Sequence, residues 1–283
     1  MEKNDFRFEN FKSVYEFEKA LDERPVNKAF KEFGKNPTSH KTTDSEWFQT
    51  GSYSEADDLL TRGWNAKVDE VKKSCEKFAS TIAVKHRRLF VDFVGVMPCV
   101  PSAIKGYPKA MINVTKKTNI EKQRTKHIVF DNTANGGTSG EQLLKAGLTV
   151  LQLAMILDKS NVKTKIDMLP ITTYDNGRFF GCSVTIKDYR QPFNYLKMAY
   201  PIANPSFFRR HGFRWLETLE NNEMSSSFVS GYGGDIFGRD RTEEYLKWAG
   251  LRKDDVIFIN HRDCRNANYD AERLMLNMGI INK

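Results

Sequence analysis

The stretch from His127 to Ser160, HIVFDNTANGGTSGEQLLKAGLTVLQLAMILDKS, decides how this chain folds. An apolar run, His127 to Phe130, ends at Asp131 and passes through a small polar loop into a long apolar helix. Thr138 with Glu141 has the S/T-x-x-E spacing of a capping box, which satisfies two backbone N–H groups left open at a helix start. Leu144, Gly147, Leu148, Leu151 and Met155 fall on one helical face, and Leu153, Ile156 and Leu157 carry apolar character round the C-terminal half. A helix that is apolar nearly all round belongs in an interior. A buried strand, a loop and a buried helix form the first unit of an α/β sheet, and ligands of such sheets lie outside the carboxyl ends of the strands. The loop at 131–140 is therefore where a site is expected.

Downstream, Lys165 to Tyr174 and Arg178 to Lys187 read as two strands joined around Asp175-Asn176-Gly177, since Asn-Gly between alternating apolar runs is a strong hairpin signal. Two helices are expected next, Pro192 to Ala203 and Pro205 to Leu219, the second carrying Arg209, Arg210, His211 and Arg214. Asn221 to Gly238 is rich in Ser and Gly and reads as an open loop, followed by a short helix from Thr242. Asp255 to Asn260 reads as a buried strand in the same sheet as His127 to Phe130, and Asp270 to Met278 as a terminal helix.

Upstream, Leu89 to Val96 and Met111 to Thr115 have strand character, with Pro98, Pro101 and Pro108 excluding a continuous helix between them. Trp47 to Trp64 reads as a short helix with a Ser52/Glu55 capping box and Gly63 after its last turn. Residues 65–80 continue as a charged amphipathic helix. Phe6, Phe8, Phe11, Tyr15 and Phe17 are too frequent for a disordered tail, and packing on the body is the expected role. The expected organisation is a mostly helical N-terminal extension over 1–80 and an α/β core domain over 81–283.

No apolar run approaches the roughly 20 residues that span a bilayer, so no membrane partner is expected. The segment MEKNDFRFENFK has no secretory apolar core. Cys75, Cys99, Cys182 and Cys264 are scattered without a C-x-x-C pair, which argues against a zinc site or a disulfide framework and for a reducing, intracellular setting. The net charge of +8 is uneven: residues 81–126 hold 10 basic and 2 acidic groups, whereas 216–283 hold 9 and 12. Such a basic stretch can attract nucleic acid through phosphate contacts. Lys116, Lys117, Lys122, Arg124 and Lys126, with Arg209, Arg210 and Arg214 on the later helix, are the candidate nucleic-acid-binding residues. A solvated basic face is the plainer expectation.

Two resemblances follow. The order of strand, long helix and antiparallel hairpin is similar to the von Willebrand factor A-like, Rossmann-type fold. The segments Gly51-Ser52…Ser54-Glu55-Ala56…Gly63-Trp64 and VTIKDYRQPFNYLKMAYPIANPSFFRRHGFRWLE resemble an uncharacterised family of tailed-phage and prophage proteins. The second implies a phage origin and a setting in the host cytoplasm or virion, and brings no established activity. The first implies Mg²⁺ bound through Asp-x-Ser-x-Ser after the first strand, a donor set suited to a hard cation. The matching positions are Asp131, Thr133 and Asn135. Asn135 replaces the second hydroxyl, so a degenerate, metal-free loop is expected, with Mg²⁺ the alternative. Gly136-Gly137-Thr138 at a helix start could instead hold an anion, but no Gly-Lys-Ser/Thr makes it a P-loop.

His261, Asp263 and Cys264 stand together after a strand, yet sequence neighbours do not make a nucleophile, base and orienter. The expected function is a non-enzymatic phage-encoded binding or assembly protein with a protein partner. The alternative is a nucleic-acid-binding accessory protein, and a hydrolase or nuclease acting at 131–140 ranks third.

Overall fold

The computed structural model describes residues 6–27, 37–65, 69, 71, 89–114, 125–160, 162–175, 178–219 and 239–280. In chain order, the chain forms β1 (Phe6–Phe11), α1 (Val14–Glu23), a 3₁₀ turn (Thr38–His40), α2 (Ser45–Phe48) and α3 (Tyr53–Arg62). A small unit follows, β2 (Leu89–Asp92), β3 (Met97–Pro98), α4 (Val100–Ile104) and β4 (Met111–Val114). The body continues with β5 (Thr125–Asp131), α5 (Gly140–Lys159), β6 (Lys163–Asp175), β7 (Arg178–Lys187) and α6 (Tyr195–Ala203). A π-helical turn (Phe207–Gly212) then runs into α7 (Phe213–Glu217). The chain closes with α8 (Arg239–Trp248), β8 (Val256–Asn260), α9 (His261–Asn266) and α10 (Ala271–Asn277).

The central sheet has the order β1-β7-β6-β5-β8 and is parallel at every pairing except the β6–β7 hairpin. Ile128 lies opposite Ile166 on one side and Ile257 on the other, so the two apolar runs at 127–130 and 255–260 share one sheet as expected. Alternation then sorts the faces. Ile128 and Phe130 join the main core with α5, while Val129 packs with Leu169, Tyr245 and Leu246 on the α8 side. β8 is half-buried rather than fully buried, with Ile257 and Ile259 inside and Val256, Phe258 and Asn260 partly open.

The mostly helical extension expected over 1–80 is corrected in one respect. Phe6–Phe11 is an edge strand of the central sheet, parallel to β7. Phe11, Phe17, Leu21, Ala56 and Leu60 belong to the same buried cluster as α5 and β6, so the core runs across residue 80. The N-terminal aromatics divide between two faces: Phe11 packs on Phe17, and Phe8 on Tyr245 and Trp248. Nearly all of the helix expected over 65–80, and the loop at 221–238, lie outside the described residues.

α5 starts one residue later than the expected capping box. Ser139 Oγ accepts the Gln142 N–H and the Gln142 side chain accepts the Ser139 N–H, whereas Thr138 N–H closes a turn onto the Asn135 carbonyl. The other expected cap is present: Ser52 accepts the Glu55 N–H, and Glu55 Oε2 accepts the Gly51 N–H at 2.6 Å. Among the described residues no helix is long and apolar enough to cross a membrane.

α5 and α6 meet backbone to backbone at Gly147, where an added Cβ would lie 2.3 Å from Ala203 Cα. A methyl group there normally helps a helix by about 1 kcal/mol, but overpacking reverses the sign. Gly147→Ala is expected to destabilise by roughly 1–3 kcal/mol in urea unfolding. Gly136→Ala, with nothing within 4 Å of the new carbon, is expected to stay within about 0.5 kcal/mol of the parent. Stabilisation by Gly147→Ala would refute the close helix crossing.

Candidate functional site at the carboxyl end of the central strands

β5 ends at Asp131, between the parallel strands β6 and β8. Asp131 is buried, and so are Asn132, Thr133 and, on β6, Thr172. The Asp131 carboxylate accepts the Thr133 N–H at 2.9 Å. Thr172 Oγ1 lies 3.1 Å from both Asp131 Oδ2 and Thr133 Oγ1, and the Thr172 N–H donates to Thr133 Oγ1 at 2.8 Å. Three oxygens thus converge from the end of β5, the loop after it and β6. Asn135 is not among them; it is exposed on the turn that Thr138 closes. The third oxygen comes from Thr172, a residue outside the 131–135 loop.

The fit to a cation can be judged from chemistry. Neighbouring ligands of Mg²⁺, bonded at about 2.0–2.1 Å, stand roughly 3 Å apart, close to the spacing of these oxygens. The set nevertheless brings a single carboxylate, and the described residues contain no group of three His, Cys, Asp or Glu side chains able to hold a metal. The hydrogen bonds from Thr133 and Thr172 also lock the carboxylate without one. If a metal were held, Asp131, Thr133 and Thr172 would hold it. The Asn132 side chain, fully buried, has no hydrogen-bond partner among the described residues.

The loop from 131 to 139 is clamped from outside the sheet. Trp47 Nε1 donates to the Gly136 carbonyl at 3.1 Å. The Arg209 guanidinium stacks 3.8 Å from the centre of the Trp47 ring and donates to the carbonyls of Trp47 and Thr138. Burial pulls the Arg209 pKa down to about 9. Arg210, also fully buried, stacks on Phe48 and donates to the carbonyls of Ser39, Lys41 and Thr50 and to Thr50 Oγ1. Arg214 donates to the carbonyls of Leu21 and Arg24.

These contacts correct the expected basic patch. Arg209, Arg210 and Arg214 face the interior, because each supplies several N–H donors to carbonyls that no regular element satisfies. Lys126 is half-buried at the start of β5, while Lys116, Lys117, Lys122 and Arg124 lie outside the described residues. Arg209, Arg210 and Arg214, being buried, therefore do not form part of a basic surface.

At the end of β8, Asn260 and Asp263 form a capping box for α9, with the Asp263 carboxylate accepting the Asn260 N–H at 2.9 Å. Cys264 is buried and its thiol pKa is pushed up by that burial, the reverse of an activated thiolate. Burial, aided by Arg262, lowers the His261 pKa to about 4. At the opposite end of the strands, Asp167 accepts hydrogen bonds from His127 at 2.6 Å, Lys165 at 2.9 Å and Thr185 at 2.7 Å. Burial works to raise the Asp167 pKa, but the His127 and Lys165 contacts outweigh it and the net shift is downward. Sequence reading had passed over both Thr172 and this network; β-strand alternation placing His127, Asp131 and Asp167 on one face was the available signal.

The fold defines a mixed α/β protein in which helices cover a central, mostly parallel five-stranded sheet and a clamped loop closes its carboxyl end. A family model described as a domain of unknown function, DUF7192, matches residues 3–281, and the chain belongs to that family. No curated protein and no solved structure matches the chain significantly.

Two outcomes check this site. Mg²⁺ at millimolar concentration is expected to leave the thermal midpoint unchanged; a metal at 100 times its dissociation constant would add about 2.7 kcal/mol. An Mg²⁺-dependent rise lost in both Asp131→Ala and Thr172→Val would establish a cation site instead. His261, near pH 4 in the fold against its ordinary 6.5, binds fewer protons folded than unfolded across that window. Its contribution is complete above pH 6.5 and declines as pH falls towards 4, by up to about 3 kcal/mol. His261→Gln is expected to flatten the pH dependence of urea stability between those values, and an unchanged slope would refute the shift.

Proposed function

We propose that this chain is a non-enzymatic binding or assembly protein of phage origin, acting in the host cytoplasm or the virion through a protein partner. The order β5–α5–β6–β7, strand, helix and antiparallel hairpin, supports a von Willebrand A-like body, and the convergence of Asp131, Thr133 and Thr172 supports the same reading.

The observation that carries the binding role is the small unit at 89–114. Among the described residues its three strands pair with one another and with no other strand, in the order β2-β4-β3. Val91 and Met97 both lie opposite Ile112, so the three side chains form a row on one face. Val94, Val96 and Ile104 are 78–80% exposed, and Phe93, Val100 and Tyr107 are exposed beside them. Among residues 91–113, whose burial is described, none belongs to either buried cluster. Apolar groups concentrated in this way, off the core, mark interaction surfaces. Charge on the unit is small: Lys105 and Lys109 stand against Asp92, whose Oδ1 lies 3.8 Å from Lys109 Nζ. With so little charge on it, the surface is read by its apolar side chains, and the partner that fits is a different protein presenting an apolar patch.

The test is a triple variant, Val94→Ser, Val96→Ser and Ile104→Ser, compared with the parent in tagged purification from phage-infected cells. The variant is expected to keep the parent's melting point, because exposed substitutions change stability by about 0.5 kcal/mol or less, and to lose the co-purifying partner. A partner retained undiminished by a folded variant would overturn the assignment of this surface.

A further inference from the structure

A second surface lies at the far edge of the body, and it is independent of the protein-docking reading. β1 and β7 end and β6 begins around a cavity of about 490 Å³, closed on one side by the start of α1. That volume is within the usual range of small-ligand sites. Lys12, Lys165 and Lys197 line it against one lining carboxylate, Asp188.

The three ammonium groups are placed differently. Lys165 is fixed by the buried Asp167 at 2.9 Å, and Lys197 donates to the Thr61 carbonyl. An ammonium has three donors, so each can still serve a ligand. The Lys12 side chain has no partner among the described residues, although its backbone N–H donates to Glu16. Asp188 accepts the Arg190 N–H. Glu16 and Glu18 on α1 bring further negative charge beside Lys12 and Lys197. Asp167 below is already shared among His127, Lys165 and Thr185. Positive charge extends along the same edge, where Thr125 pairs with Lys163 and Lys126 with Thr164. The wall also holds Val14, Leu60 and Ile186, and Tyr15 stands 73% exposed at the mouth.

Lysines around a cavity with part of its wall apolar and the exposed ring of Tyr15 among its lining match a ligand that joins phosphate to a planar base. We propose that this cleft binds a phosphorylated nucleoside unit, either as a free nucleotide or as part of a nucleic-acid strand. Lys12, Lys165 and Lys197 take the phosphate oxygens, and Tyr15 stacks on the base. Stacking of this kind tolerates any base, so the site is selective for chemistry and not for sequence.

Three probes test it at low salt: inorganic pyrophosphate, ATP, and a fluorescent single-stranded oligodeoxynucleotide of roughly 12 nucleotides. Lys12→Ala with Lys197→Ala is expected to weaken whichever nucleoside probe binds by about tenfold or more. Both positions lie in surface contacts, so melting should be close to the parent's. Tyr15→Ala is expected to weaken ATP or the oligonucleotide and leave pyrophosphate unchanged. If the oligonucleotide binds and ATP does not, the source is a strand, and the double variant should lower the log–log salt slope by about 0.7 per lost contact. If ATP binds as well as the oligonucleotide, the source is a free nucleotide. The proposal is overturned if no probe binds, if the folded double variant binds undiminished, or if only Lys122→Ala with Arg124→Ala and Lys126→Ala abolishes binding. None of these results alters the docking role of residues 89–114.

Discussion

The structure depends on the buried guanidinium groups of Arg209 and Arg210, which among the described residues donate to backbone carbonyls and a hydroxyl and form no ion pair with a carboxylate. Moving a charge out of water is costly unless hydrogen bonds replace its hydration. Arg210 meets that requirement with backbone carbonyls, Thr50 Oγ1 and the face of Phe48, and Arg209 meets it at both terminal nitrogens and on the face of Trp47, while its Nε has no partner among the described residues. The carbonyls they engage belong to residues 39–50 and to Thr138, segments that carry little regular structure of their own. Each side chain therefore solves two problems together: its own desolvation and the unsatisfied backbone of the segment that covers it. A lysine could not do the same, since its single ammonium cannot present a planar fork to several carbonyls. Glu217, fully buried nearby, accepts from the Ser39 backbone and hydroxyl and ties the 3₁₀ turn to α7.

This arrangement shapes what the surface can do. The carboxyl end of the sheet, where an α/β protein commonly works, is held by Trp47 and Arg209, and its oxygen cluster is turned inward. Exposed features lie elsewhere: an apolar unit at 89–114 whose strands, among the described residues, do not join the central sheet, and a lysine-lined cleft where β1, β6, β7 and α1 meet.

The central unit was legible in the sequence because its signals were local. Apolar runs at 127–130 and 255–260, the Asn-Gly turn and the all-round apolar helix each follow from residues within a few positions of one another. The cap of α5 shows the limit of such signals. Thr138/Glu141 and Ser139/Gln142 both satisfy the spacing, and the Asn135–Thr138 turn decides between them. Thr172 was invisible because it joins Asp131 across 41 residues through strand pairing. The arginines were misread for a physical reason: charge suggests exposure, and only their setting among Phe207, Phe208, Phe213 and Trp215 pointed inward. β1 was missed because its aromatics divide between two faces, Phe8 outward to α8 and Phe11 into the core, so that no single stripe forms.

The most direct measurement is backbone hydrogen exchange, followed by mass spectrometry, on Arg210→Met against the parent. Methionine keeps much of the apolar stem and removes every donor, leaving the carbonyls of Ser39, Lys41 and Thr50 without a partner. The expected result is faster exchange across residues 37–50, with a global loss of about 2–4 kcal/mol and with α5 and the β6–β7 hairpin still the slowest to exchange. Unchanged protection over 37–50, at the parent's stability, would contradict the role assigned to the buried guanidinium groups.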